Sequence, residues 1–410
     1  MMRSGSLWRQ RDFRLLWIGQ AISEMGSVVT RTALPIAAIL VLDAGALEVG
    51  LLVAASSLGV LVVGLAAGAW VDRLPRRPVL IWADLTRAFL LATIPLAAVL
   101  GALRMELMYV VAFCSAALGS LFDAAYRSYP PVLVPRERLV EANGALAGVG
   151  AVAEMTGPSL AGGLVQLATA PFAILVDAVS FLVSAISLAF IRTAEPPAAV
   201  PERRESLLHE VGQGIAFVAR EPSLRLIAAA MFFGSLFGNF FAALYTLYAL
   251  EELGLSPLVL GLIISAGGVG GVAAAALAAP IARRFGIGPT IVWCEIGSAL
   301  TYLLIPLAGG PWAALFLFIP QLIGDGIASV GLINGLTLRQ LIAPPGMLGR
   351  VNATWHVVNR GIAPAGALVG AAIAEAAGIR IAVWIAVLGV LAGSLVLLLP
   401  SPLLRTRKVA

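Results

Sequence analysis

Glu24, Arg31, Asp325 and Arg360 each lie well inside a run of apolar residues long enough to cross a bilayer. An ionised side chain at the bilayer centre costs at least roughly 2.5–3.5 kcal/mol, so each needs a partner or a task. The chemistry open to such carboxyls is proton or cation carriage, because burial favours the neutral acid and brings its titration toward neutral pH. Glu24 is ten residues into its run, about 15 Å along a helix that rises 1.5 Å per residue. Arg31 follows seven residues later, on the same helix face. Two readings stay open for Glu24: a protonatable site, and a fixed ion pair with Arg31 or Arg360. Asp325 lies one turn after Gln321, with Asn334 further along, a polar stripe that Asn239 of another run could face. Its neighbours Gly324 and Gly326 offer a close-packed polar kink instead. Glu154 lies one turn before Gly157-Pro158, where a carboxylate could gate a bend, receive a proton or pair structurally. Arg360, one turn after His356, could be the counter-charge to Glu24 or Asp325. A lone histidine such as His356 reads more readily as a hydrogen-bonded packing residue than as a titrating one.

Other chemistries find no residues to carry them. The only histidines are His209 and His356, and neither HExxH nor GxSxG occurs, which argues against an intramembrane enzyme. Lys408 is the only lysine, so no P-loop is possible and no ATPase is encoded. Cys114 and Cys294 both sit in apolar runs and read as small buried hydrophobes, not as a disulfide or metal site. No metal and no cofactor is expected.

Elements that position these charges must be membrane helices. Of 410 residues, 60% are hydrophobic and 12% charged, about half the charged fraction of a soluble domain. A span needs roughly 20 apolar residues, and twelve candidates run near 14–41, 47–71, 79–101, 107–129, 142–168, 171–191, 225–250, 257–281, 289–308, 312–336, 348–374 and 380–400. With the N-terminus inside, inner connections and tails hold 22 of the 27 basic residues and outer connections hold two, Arg104 and Arg380. That asymmetry predicts cytoplasmic termini and explains the net charge of +5 without nucleic acid. The first run exceeds signal-peptide length and lacks a small-residue cleavage site, so it is expected to be retained.

A long connection near 192–224 divides the spans into two sets of six, giving halves at 1–192 and 225–410 with a linker at 193–224. The linker begins Pro-rich and continues as an amphipathic helix whose stripe is Leu207, Leu208, Val211, Ile215 and Val218, suited to the inner interface. The halves echo each other. Gly157-Pro158 is expected to interrupt the fifth span as Ala363-Pro364 does the eleventh, and Arg283-Arg284 repeats the hairpin after span two without its acid. Twelve spans in two related halves suit a transporter that rocks about a midplane site.

Gly68-x3-Asp72-Arg73-x2-Arg76-Arg77 closes span two and opens span three. It resembles the signature of the major facilitator superfamily, with Pro75 where glycine is usual, a substitution that stiffens the turn and keeps its charges. Gly144-x8-Ala153-x3-Gly157-Pro158-x2-Ala161-Gly162 in span five is similar to that family's antiporter motif, with alanine at two of its glycines. The chain resembles most the bacterial branch of macrolide and siderophore exporters. The resemblance implies an all-α membrane protein of twelve helices in two pseudo-symmetric six-helix halves, in a bacterial inner membrane. It also implies a cytoplasmic gate of Gly68, Asp72, Arg73, Arg76 and Arg77, braced by the local pairs Asp84–Arg87 and Asp123–Arg127, and export, from Gly144, Glu154, Gly157, Pro158 and Gly162. The arginine that many proton-coupled members carry in span four is missing, since Val110 to Ser120 holds no charge.

The expected function is a secondary active exporter of small amphipathic organic molecules by proton antiport and alternating access, with Glu24, Arg31, Asn239, Gln321, Asp325 and Arg360 lining its cavity. Export of one dedicated product such as a siderophore is the alternative, with uptake or a non-transporting sensor further off. The expected partners are a small-molecule substrate, protons and the bilayer. GxxxG patterns such as Gly64-x3-Gly68 and Gly267-x3-Gly271 are read as internal packing, hence a monomer. Asp177 and Glu295 have no assigned role.

Overall fold

In a bilayer no water satisfies free backbone groups, so long apolar runs become helices that close their own hydrogen bonds. The computed structural model describes residues 7–71, 73–195, 207–344, 346–400 and 402–406, and these are helical with no strand among them. In chain order they are α1 (Arg11–Leu42), α2 (Ala46–Val71), α3 (Arg76–Val99), α4 (Met105–Ser128), the single turn α5 (Pro130–Leu133), α6 (Leu139–Leu167), α7 (Ala170–Ala189) and α8 (Leu207–Arg220). There follow α9 (Pro222–Leu247), α10 (Pro257–Phe285), α11 (Ile287–Tyr302), α12 (Ala313–Ile319), α13 (Asp325–Ile342), α14 (Leu348–Gly361), α15 (Ala363–Ala377) and α16 (Ile379–Leu395). Starts are set by capping chemistry. Thr169 Oγ1 accepts from the Phe172 amide at the head of α7, and Ser256 Oγ accepts from the Val259 amide at the head of α10.

Ten of the described helical stretches are long and apolar enough to cross a bilayer. The fifth and ninth expected spans, α6 and α11, fall outside that set. Glu154 and the many glycines dilute the hydropathy of α6, and α11 has only 16 residues. α12 and α13 are joined through one wide turn at Pro320–Gly324 and count as a single span. One expectation is corrected. α6 runs unbroken through Gly157 and Pro158, whereas the eleventh span does divide, at Ile362 between α14 and α15.

The chain forms two compact units, Met1–Ala44 with Ala55–Glu202, and Gly45–Ala54 with Arg203–Ala410. In the first, α1 packs on α7 and α6, and α3 packs on α7 and α4. In the second, α9 packs on α16 and α15, and α11 on α16 and α13. The pairings correspond one for one, so each unit repeats one architecture. Lipid tails are as apolar as leucine, so these helices gain little from burying side chains and depend on close approach. Gly157 supplies such an approach: a Cβ there would lie 2.5 Å from Val28 Cγ1 of α1. In the second unit α8 rests on α14, with Gly214 against the Arg350 carbonyl and Val218 buried, while Ile215 of the expected stripe is exposed. Leu207, Leu208 and Val211 lie outside the described side chains.

The motif glycines separate cleanly. A Cβ at Gly144 would meet nothing within 4 Å, in contrast to Gly157. Gly157→Val is expected to cost about 1–3 kcal/mol through overpacking and to lower the thermal midpoint of the detergent-solubilised protein, with Gly144→Val close to wild type. Equal midpoints for the two variants would contradict the packing.

Candidate functional site

The arginine hairpin is built into its own unit by hydrogen bonds. Glu195, just beyond α7, accepts from the backbone amides of Arg76 at 2.7 Å and Arg77 at 2.6 Å, capping the otherwise unpaired head of α3. Arg76 Nε donates to Ser128 Oγ at the end of α4. Arg77 donates to the carbonyls of Leu188 and Ala189, satisfying the last turn of α7. Asp12 of α1 accepts from the Thr193 amide and hydroxyl and from the Arg192 amide. The starts of α1 and α3 and the ends of α4 and α7 therefore converge on residues 192–195. Arg73 and Arg127 are exposed, Gly68 lies within α2, and Asp72 falls outside the described residues. A cavity of about 540 Å³ beside this junction is lined by Arg77, Trp82, Leu85, Arg192 and Glu195 among others.

Deeper in the same unit the structure brings several expected site residues together. Gln20 Nε2 donates to Glu24 Oε2 at 3.0 Å. Asp123 on α4, Arg31 on α1, Glu154 on α6 and Arg87 on α3 all lie close enough to act electrostatically on Glu24. Arg31 pairs with Glu154, not with Glu24, so the fixed Arg31 pair considered for Glu24 is taken by another carboxylate. Arg87 does not close on Asp84 as their spacing suggests. Its guanidinium donates to Ser27 Oγ at 3.3 Å and lies 3.8 Å over the Phe181 ring. Carboxylates from three helices and the guanidinium groups of Arg31 and Arg87 thus lie within electrostatic reach of one another among the described residues.

In the second unit Asp325 Oδ1 accepts from the Tyr302 hydroxyl at 2.6 Å. Its other oxygen and Gln321 border Gly267, leaving no room there for a side chain. Gly324 packs on Thr301 and Tyr302, and Gly326 on Gly270, the close-packed arrangement that the flanking glycines had suggested. Asn239 donates to the Ser235 carbonyl of its own helix and borders Gly366, so it does not join Asp325. Arg360 is exposed and makes no ion pair among the described residues. Gly162 and Pro158 are buried along α6. Among the described residues no group of His, Cys, Asp and Glu has the arrangement of a metal site.

A family model described as Major Facilitator Superfamily matches residues 16–360. The chain belongs to that superfamily. Among curated relatives, the multidrug efflux pump Tap of Mycolicibacterium fortuitum is 26% identical over 350 residues, covering 82% of this chain and 83% of the relative. Macrolide efflux protein A of Streptococcus pyogenes is 26% identical over 220 residues, 53% of each chain. Among solved structures, a bacterial homologue of the iron transporter ferroportin, in an inward-facing state, aligns with a TM-score of 0.75 at 18% identity, covering 96% of this chain and 99% of the other. A mutant form of the nucleoside transporter NupG aligns with a TM-score of 0.78 at 12% identity, covering 94% of this chain and 99% of the other. At these identities the structures speak for the fold alone.

Within this facilitator chain three contributors escaped the sequence reading. Gln20 is visible there only as a polar residue one turn before Glu24. Glu195 belongs by position to a polar linker, and nothing local marks it as a helix cap. Asp177 has no role that its sequence position suggests, yet it is 1% exposed and lies against Gly26 of α1. The cap gives a direct check. Glu195→Ala is expected to cost about 1 kcal/mol, lowering the thermal midpoint, and Glu195→Gln, which keeps an acceptor, about half as much. A midpoint unmoved by either change would mean that α3 does not need this cap.

Proposed function

We propose that the protein is a secondary active exporter of small amphipathic organic molecules, driven by proton antiport and working by alternating access. The observation that carries this reading is Glu24 itself, a carboxyl inside α1 whose hydrogen bond comes from the neutral Gln20 while Arg31 closes on Glu154. Ionised, and with no salt bridge among the described residues, it holds poorly compensated negative charge in the membrane. A proton, or a cationic substrate, relieves that charge, and exchange of one for the other is antiport. The efflux functions carried in the names of the relatives favour export over uptake. Substrate enters from the cytoplasm or inner leaflet, the halves 1–192 and 225–410 rock about the 193–224 linker, and a proton loads Glu24 as substrate leaves.

In this scheme Gly68, Asp72, Arg73, Arg76, Arg77, Asp123 and Arg127 form the cytoplasmic gate, with Asp84 and Arg87 bracing it from within. Both termini are cytoplasmic, and one chain is the working unit. Asp325, held by Tyr302, is the second candidate proton site.

Inverted vesicles energised with an inside-acid gradient should accumulate fluorescent lipophilic compounds. Glu24→Gln is expected to abolish gradient-driven accumulation while leaving substrate exchange without a gradient. Asp325→Asn separates the two candidates: loss there with Glu24→Gln active would move the coupling site to the second unit. Absence of accumulation for any compound by the wild type would argue for a dedicated substrate.

A further inference from the structure

Asp84 of α3 and Asp177 of α7 are 0% and 1% exposed, and both face the interior of the first unit. The groups around them come from every helix that packs there. α3 itself brings Arg87, α7 brings Ser180 and Ser184, and α1 brings Thr30 and, further off, Glu24. α4 brings Gly119 against the Arg87 guanidinium. The Asp123 and Glu154 charges act on Glu24, one step removed. Two carboxyls thus share one cation. Neither oxygen of Asp84 has a hydrogen-bond partner, and Arg87 Nε has none either. Asp177 Oδ1 accepts from Ser180 at 2.9 Å. Arg87 closes no salt bridge on either carboxyl among the described residues; it is drawn aside to Ser27 and Phe181.

We propose that Asp84 and Asp177 form a buried proton site, in which the two carboxyls hold one exchangeable proton beside Arg87. Charge balance requires it. With both acids ionised the seam carries a net negative charge out of water, at several kcal/mol per uncompensated ion. One proton makes two acids and one arginine neutral. An ionised carboxylate only accepts hydrogen bonds, whereas the protonated acid also donates. A proton on Asp84 therefore gives its orphaned oxygens a donor to offer.

The second unit removes the architectural explanation. Its corresponding seam is α11 against α16. Beyond Arg380 at its start, α16 has no ionisable residue, and the one charged residue of α11, Glu295, borders Gly331 of α13. The same helix pair packs there without an acid from each helix and without an arginine between them, so the fold does not require two aspartates and an arginine. The charge of Asp177 also reaches Glu24. A proton entering or leaving the seam thereby changes the field on the residue assigned above to proton loading. The use of the site in transport rests on the antiport reading; its existence does not.

Infrared difference spectroscopy of the purified protein in lipid nanodiscs, without substrate or gradient, reads the site directly. At neutral pH the carbonyl-stretch band of a protonated carboxylic acid is expected in the wild type. It is expected to persist in Glu24→Gln. Asp84→Asn and Asp177→Asn should each remove one acid's worth of band, because the remaining carboxylate is then matched by Arg87. Arg87→Gln leaves two acids with no base and should add a second acid of equal area. Wild-type-minus-variant spectra with no acid component for either aspartate, or no gain in Arg87→Gln, would overturn the proposal. If one asparagine variant fails to fold, the other and the Arg87→Gln gain still decide it. A band that behaves as expected in a protein showing no gradient-driven uptake would retire the antiport reading and leave the site.

Discussion

The seam between α1 and α7 is the contact on which the first unit depends. Gly19 and Gly26 bring the helices so close that Ser187, Ser180 and Asp177 fill the space that side chains would otherwise occupy. Close approach substitutes for the hydrophobic drive that lipid does not supply, but it also removes room for water. Every polar atom in the seam must then be answered by protein. Ser180 answers Asp177, the Ser187 hydroxyl donates to the Leu15 carbonyl, and Arg87 is held at the far side by Ser27 and Phe181. The placement of charge in this unit follows from a packing distance.

The second unit meets the same packing requirement with different side chains. Phe233, Phe237 and Phe240 of α9 press onto Gly393, Gly389 and Gly370. Aromatic rings in glycine notches give dense dispersion contact and raise no charge problem. Its ionisable residues are dispersed instead of pooled. Asp325 is tied to Tyr302, Glu295 borders Gly331, and Arg380 bonds Glu252 while lying over Tyr248. Two related sets of helices have thus been given unequal tasks. One pools acid around two arginines; the other distributes its charges among aromatic and backbone partners.

The helices were legible because hydropathy acts over whole segments, and lipid leaves the backbone few alternatives. The arginine hairpin was legible from spacing, and so was the proximity of Glu24 to Arg31. What those side chains touch was not. Seven residues on one face suggested that Arg31 would meet Glu24, yet Glu154, on another helix, takes it. Asp84 and Arg87 had the spacing of a local pair, but an arginine is long enough to reach across a helix interface, and Ser27 and Phe181 offered it more. Pro158 carried the signal of a break and α6 continues through it, while Pro364 does coincide with one. Proline removes one donor in either case. Whether the helix stops depends on the neighbours: Gly157 is packed hard against Val28, which holds α6 in line.

Stiffness is distributed as unevenly as charge. Glu195, Asp12, Arg76 and Arg77 tie the ends of four helices into one hydrogen-bonded junction, so that end of the first unit has little local freedom. The second unit has its irregularities within helices: wide turns at Tyr248–Glu252 and Pro320–Gly324, and the interruption at Ile362. A helix bends most easily where its hydrogen-bond ladder is already disturbed, and two of these disturbances adjoin Asp325 or the α14 segment on which α8 rests. Under the proposed antiport, a unit that pools acid needs its carboxyls held at fixed distances, because their mutual repulsion is what binding a proton would relieve. Bending concentrated elsewhere in the chain leaves those distances intact. The clipped junction and the pooled acid therefore belong together, and the irregular helices are where such a molecule can yield without disturbing them.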